Sequence, residues 1–338
     1  MKLIKTEDAV GQVLCHDMTQ IIPNEYKGAR FRKGHIVTQE DIPILLSMGK
    51  ENLYIFEMDD NQFHENDAAE ILCQLCQGTN IIRSEVREGK IELTAAIDGL
   101  FTLDREKLNA VNSIEELMIA TRKGFTAVKQ GDKLAGTRVI PLVIEKAKLI
   151  QAKKIVTSDP IMHVLPYTLK TAAVITTGSE VFHGRIEDKF TPVLIEKLHV
   201  YGIDVVQHIL VDDGIENVTN AIESVRGKVD MILCTGGMSV DPDDNTPGAI
   251  KASGADIITY GAPVLPGAMF LLGYYEDGTP VMGLPGCVMY AKATIFDLVL
   301  PQIAAGVRMT KADFVAYGEG GLCLNCGECT YPHCPFGK

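Results

Sequence analysis

The sequence predicts an α/β protein whose main unit, residues 157–306, is a three-layer α/β/α sandwich around a mostly parallel sheet, preceded by smaller α+β units. Three observations predict this. Apolar runs alternate with helical patterns from residue 157 onward, 338 residues are long for a single domain, and 46% hydrophobic against 22% charged residues is ordinary for a folded globular protein. The runs 172–176, 204–211, 230–234 and 281–284 read as strands. Helices are expected near 188–201 and 215–225, from Thr246, and as one long segment over 287–305. Residues 257–258 and 270–274 add an antiparallel pair at one edge of the sheet.

The preceding chain divides by pattern. Residues 1–78 read as a small mixed unit with short strands at 10–14, 36–37 and 53–56. A helix carrying Ile42, Leu45, Leu46 and Met48 is stopped by Gly49. Ala68, Ile71, Leu72 and Leu75 then give a helix over 64–77. Residues 79–156 form a second small unit, with strand alternation at 90–95, a helix over 114–121 and a β-branched strand over 139–144. Residues 307–338 are a tail.

A net charge of −12 excludes broad electrostatic binding to nucleic acid or anionic membrane, so any phosphate ligand must be gripped locally. No stretch offers 18 uncharged apolar residues, and the opening MKLIKTEDAV lacks the apolar run of a secretion signal, so a cytoplasmic protein is expected. The nine cysteines are spread unevenly, a pattern of metal usage and not of disulfides. Cys73 and Cys76 share one helix face and read as buried thiols. His64-Glu65 would need a histidine at position 68 to make a metalloprotease pair, and Ala68 stands there.

Ligands of open α/β sheets bind beyond the carboxyl ends of the strands. Three segments lie at such ends: Thr176-Thr177-Gly178-Ser179-Glu180, the run from Thr235, Gly236, Gly237, Met238 and Ser239 to Thr246 and Pro247, and Gly283-Leu284-Pro285-Gly286. Gly236 and Gly237 let the backbone approach an anion, while Thr246 and Pro247 suit a helix cap and first helical position. Asp241, Asp243 and Asp244 share that loop, and carboxylates beside a phosphate call for a bridging hard cation, Mg²⁺.

Residues 170–306 resemble the molybdopterin-binding domain shared by molybdopterin adenylyltransferases and molybdenum insertases. The Thr-Gly-Gly loop followed by Asp244, Thr246 and Pro247 carries the resemblance, with Thr177–Glu180 and Pro285-Gly286. It implies a pterin or related phosphorylated ligand and names Asp244 and Asp188 as candidate catalytic acids. Ser179 stands where insertases usually have Asp, Met238 and Ser239 replace a Thr-Gly pair, and Asp243 stands where many adenylyltransferases have Arg. The resemblance also implies self-association into a homo-oligomer.

At the end of the chain, Cys323-x2-Cys326-x2-Cys329-x4-Cys334-Pro335 resembles the bacterial ferredoxin run with one extra residue before its last cysteine. A [4Fe–4S] cluster, Zn²⁺ and a free thiol tail all remain open for it. A bound metal would order a tail that reads as too poor in apolar residues to pack. The function expected is a late step of molybdenum-cofactor assembly, as an Mg²⁺-dependent nucleotidyl or molybdenum transferase. A non-catalytic carrier delivering molybdopterin to a partner molybdoenzyme and a nucleotide-pyrophosphate hydrolase are the alternatives.

Overall fold

The computed structural model describes residues 2–22, 26–55, 61–239 and 244–338. The chain forms two compact units: Met1–Ile97 with Thr102–Gly124 and Lys129–Val164, and Asp98–Phe101 with Phe125–Val128 and Leu165–Lys338.

In the first unit Leu14, Phe31, Val37, Ile42, Leu45 and Leu53 make a small core beneath helix Asp41–Ser47. The expected strands at 10–14 and 36–37 are only single bridges, Val13 with Ile36 and Leu14 with Ile55. A second layer is an antiparallel sheet in the order Ile81–Arg83, Lys90–Ala95, Lys133–Val139, Leu117–Thr121, against which helix Glu65–Cys76 packs. The helix expected over 114–121 is therefore corrected to a strand. Leu117 and Ile119 are buried while Met118 and Ala120 face solvent, a period of two that the Lys133–Val139 strand pairs with directly. The helix lies earlier, at Arg105–Asn112, where Asp104 accepts from Lys107 N–H at 3.0 Å. The run 139–144 is split into Lys133–Val139 and Val143–Glu145, with Pro141, which has no N–H for a ladder, between them. Cys73 and Cys76 are fully buried, as expected.

The second unit is an α/β sandwich with a mostly parallel sheet. Labelled within this unit, its strands are β1 (Thr171–Thr177), β2 (Asp204–Val211), β3 (Met231–Thr235), β4 (Asp256–Tyr260), β5 (Leu271–Tyr274) and β6 (Pro280–Leu284). The order is β2-β1-β3-β6-β5-β4, parallel from β2 to β6 and antiparallel at β5 and β4. Alternate residues feed two cores. A short helix α1 (Ser179–Phe182) follows β1; Ala172, Val174, Met231 and Leu233 meet helices α2 (Phe190–His199) and α5 (Ile295–Ala304), while Ala173, Ile175, Ile232 and Cys234 meet α3 (Ile215–Val225) and α4 (Thr246–Ala252).

The long helix expected over 287–305 is corrected to a 3₁₀ turn, Gly286–Met289, followed by a separate α5. Thr294 starts that helix afresh. Its hydroxyl accepts from Phe296 N–H at 3.2 Å, and Asp297 accepts from Thr294 N–H at 2.8 Å, a capping box. Lys197 of α2 also pairs with Asp297.

The tail packs more firmly than its composition suggests. Helix Lys311–Ala316 seats Phe314 on Phe270 at 6.0 Å, Phe336 is 3% exposed, and the Tyr331 hydroxyl donates to the Asp297 carbonyl at 3.0 Å. The expectation that only a metal could order this segment is corrected: a few aromatic anchors do so.

Candidate functional site

Strand order reverses at β1, since the chain runs from β1 outward to β2 and then returns to β3 on the other side. The carboxyl ends of β1 and β3 therefore flank a topological switch point, the place where ligands of open α/β sheets bind.

The loop after β3 is pinned on three sides. Gly236 has φ +85°, and a Cβ there would collide with the Thr177 carbonyl oxygen at the end of β1. The Thr246 hydroxyl donates to the Gly236 carbonyl at 2.8 Å, and Thr246 N–H donates to the Gly237 carbonyl at 3.2 Å. Met238 is buried over Gly283 of β6, where a Cβ would stand 2.5 Å from its sulfur. Thr246 is thus the first residue of α4 and not its cap, and Asn245 takes the cap position. The hydroxyl is spent on closing the loop. Thr235 is fully buried, and its hydroxyl reaches Thr176 Oγ1 at 3.2 Å, joining β3 to β1.

Around β1 two acid-centred networks form. Asp188 Oδ1 accepts from Phe190 N–H at 2.8 Å and Thr191 N–H at 3.1 Å, the first amides of α2. Its Oδ2 accepts from the Thr191 hydroxyl at 2.6 Å and lies 3.1 Å from His208 Nε2. Burial would raise the Asp188 pKa, yet these bonds from Thr191 and Phe190, with the charge of His208, bring it below the usual aspartate range. With both oxygens so engaged, Asp188 holds the start of α2 in place. The second network centres on Ser179. Its Oγ lies 2.7 Å from Asp212 Oδ1 and 3.0 Å from Asp213 Oδ2, and Asp213 also accepts from Ser179 N–H at 2.9 Å and from the Thr177 hydroxyl at 2.7 Å. The Ser179 hydroxyl first, then the Asp213 N–H, lower the Asp212 pKa. Asp212 Oδ2 faces His183 Nε2 at 3.7 Å.

Of the residues singled out from sequence, Thr177, Gly178, Ser179, Thr235, Gly236, Gly237 and Thr246 share this mouth. Glu180, Ser239 and Gly286 are exposed, Pro285 is buried at the end of β6, and Asp244 and Pro247 are half-buried. Asp241 and Asp243 lie outside the described residues. Asp212, Asp213 and His208 were missed. An Asp-Asp-Gly directly after a strand run was the available signal.

The first unit holds a polar cluster of its own. His64 Nδ1 accepts from Asn66 N–H at 3.2 Å and lies 3.1 Å from Lys33 Nζ, so the ring proton sits on Nε2 and is donated to the Cys15 carbonyl at 2.8 Å. His64 is the cap of helix Glu65–Cys76. Burial, foremost, lowers the His64 pKa and raises that of Glu65.

Comparison with known families gives two matches. Residues 3–57 match a family described as a domain of unknown function, and residues 173–305 match one described as a probable molybdopterin binding domain. The second match covers both glycine loops and both acid networks. Residues 173–305 belong to the molybdopterin-binding domain family. Over 85 residues, a quarter of this chain, the sequence is 38% identical to a "CinA-like protein" of Pseudothermotoga lettingae, and the match spans 21% of that relative's length. Among solved structures, the protein CinA with unknown function from Thermoplasma acidophilum is similar at 20% identity and TM-score 0.35, over 40% of this chain and 98% of that one. The tungsten cofactor synthesizing protein MoaB from Pyrococcus furiosus is similar at 22% identity and TM-score 0.34, over 43% of this chain and 99% of that one. The molybdopterin-binding domain here thus sits on a chain whose first unit carries a different family match.

Proposed function

We propose that the molybdopterin-binding domain takes molybdopterin or its adenylylated form at the β1–β3 switch point and acts late in molybdenum-cofactor assembly, as an Mg²⁺-dependent nucleotidyl or molybdenum transferase. The observation that carries this reading is the glycine loop after β3, closed on Thr177, Thr246 and Gly283 where strand order reverses. Gly236 and Gly237 present backbone without side chains, which suits close approach of a phosphate.

Magnesium is tested by its donors. Mg²⁺ is ordinarily held by one or two carboxylates and by phosphate oxygens, not by an all-protein cage. Asp244, the acid that the resemblance singles out in the loop after β3, with Asp212 just past the end of β2, is proposed to hold the ion. When bound, the ion neutralises phosphate charge during transfer. The chain's own work is to seat the phosphate on the Gly236–Gly237 backbone and to hold β1 and β3 at a fixed spacing through Thr176 and Thr235.

Asp212 and Asp213, in the loop after β2 and within hydrogen-bond reach of Ser179, are proposed to supply the acid that insertases carry at that position. This favours chemistry over simple carriage. It also keeps the nucleotide-pyrophosphate hydrolase as a second reading, because an acid-rich mouth suits a magnesium-bound pyrophosphate equally well. A homo-oligomer and a recipient molybdoenzyme belong to this proposal as its partners.

The test supplies the full chain with Mg²⁺ and either molybdopterin plus ATP or adenylylated molybdopterin plus molybdate, and follows release of pyrophosphate or AMP. Release that Asp244→Ala abolishes is expected. Saturable pterin binding without release would make the domain a carrier, and cleavage of ADP-ribose-like compounds in place of pterin chemistry would make it a hydrolase.

A further inference from the structure

The four tail cysteines remain outside the functional reading above. All four, Cys323, Cys326, Cys329 and Cys334, line one cavity of about 160 Å³, together with Pro266, Lys292 and aromatic tail residues. None is in a disulfide; Cys326 and Cys329 are exposed, while Cys323 and Cys334 are half-buried against the core. The backbone around them is held from outside. Leu265 N–H donates to the Gly321 carbonyl and Cys323 N–H to the Leu265 carbonyl, both at 2.8 Å, and Gly337 N–H donates to the Gly320 carbonyl at 2.9 Å. A Cβ on Gly337 would collide with Leu298 of α5, so the tail closes tightly on the domain.

We propose that this cavity is the seat of one cubane [4Fe–4S] cluster ligated by Cys323, Cys326, Cys329 and Cys334. The choice between a cluster and zinc follows from space. A structural zinc draws four sulfurs to about 2.3 Å from one ion, which leaves no room between them. Here the four cysteines line one void of about 160 Å³, far more room than a single ion fills. A multi-atom body fits that arrangement and a single ion does not. In two-cluster ferredoxins the fourth cysteine of such a run serves a different cluster, whereas here Cys334 lines the same cavity as the other three. Assembly takes ferrous and ferric iron in equal amounts with as much sulfide as iron, each thiol releasing its proton to solvent as its S–Fe bond forms.

The experiment incubates the full chain anaerobically with that mixture or with Zn²⁺ alone, desalts it and assays iron, acid-labile sulfide and zinc per chain. The expected result is about four iron and about four sulfide with a broad visible absorption that bleaches on reduction. Cys326→Ser and Cys329→Ser, at exposed positions, are expected to lose that absorption while keeping the parent's far-ultraviolet circular dichroism. Retention of zinc but not iron, retention of neither, or full cluster loading in both serine variants would each overturn the assignment. None of these readouts depends on pterin binding.

Discussion

Gly236 sets how closely β1 and β3 can end, because its positive φ and the Thr177 carbonyl leave no space for a side chain. Gly236→Ala is expected to cost about 1–3 kcal/mol from the left-handed backbone alone, before the collision is counted. A denaturant midpoint unchanged from the parent would show that the loop is not held as described. Asp188 makes a different prediction. Its pKa lies below that of an unfolded aspartate, so its bonds stabilise the fold above the unfolded value of about 3.9 and are lost as pH falls through the folded value. Asp188→Ala should therefore cost about 1 kcal/mol at neutral pH, as for a capping residue, and the gap to the parent should shrink below about pH 4. Ligand affinity should be unchanged by that substitution, since Asp188 holds α2. Unfolding curves across pH check the first expectation and a binding titration the second.

At the scale of elements, the connection from β6 to α5 matters most. Leu284 ends a buried strand, Gly286–Met289 is one 3₁₀ turn, and Ala291, Lys292 and Ala293 wall the cysteine cavity before the Thr294 capping box opens α5. Thr294→Ala is expected to destabilise the fold by about 1 kcal/mol, measured by thermal or denaturant unfolding. The parallel strands were legible because each is an apolar run bounded by turn residues, and 204–211 and 215–225 were read to their observed ends. The misread elements have different causes. Over 114–121 an alternating strand can pass for a helix when the helix before it is polar, as Arg105–Asn112 is. Over 287–305 an apolar run conceals a break that a single threonine decides. Thr177, Ser179, Gly236 and Thr246 were legible as motifs. Asp212, Asp213 and His208 were not, since they reach the mouth only through the pairing of β2 with β1.

At the scale of the whole molecule, each unit has its own core, and the chemistry proposed resides in the second. The chain's net charge of −12 leaves a phosphate to be held by local backbone and a cation, which places the burden on the loop after β3. No helix among the described residues is long and apolar enough to cross a membrane. The most direct measurement is an anaerobic titration of the full chain with molybdopterin or its adenylylated form, with and without Mg²⁺. The account predicts saturable binding that strengthens with Mg²⁺ and that Asp244→Ala loses. Binding absent under every condition, or equally tight in the Asp244→Ala protein without Mg²⁺, would contradict it.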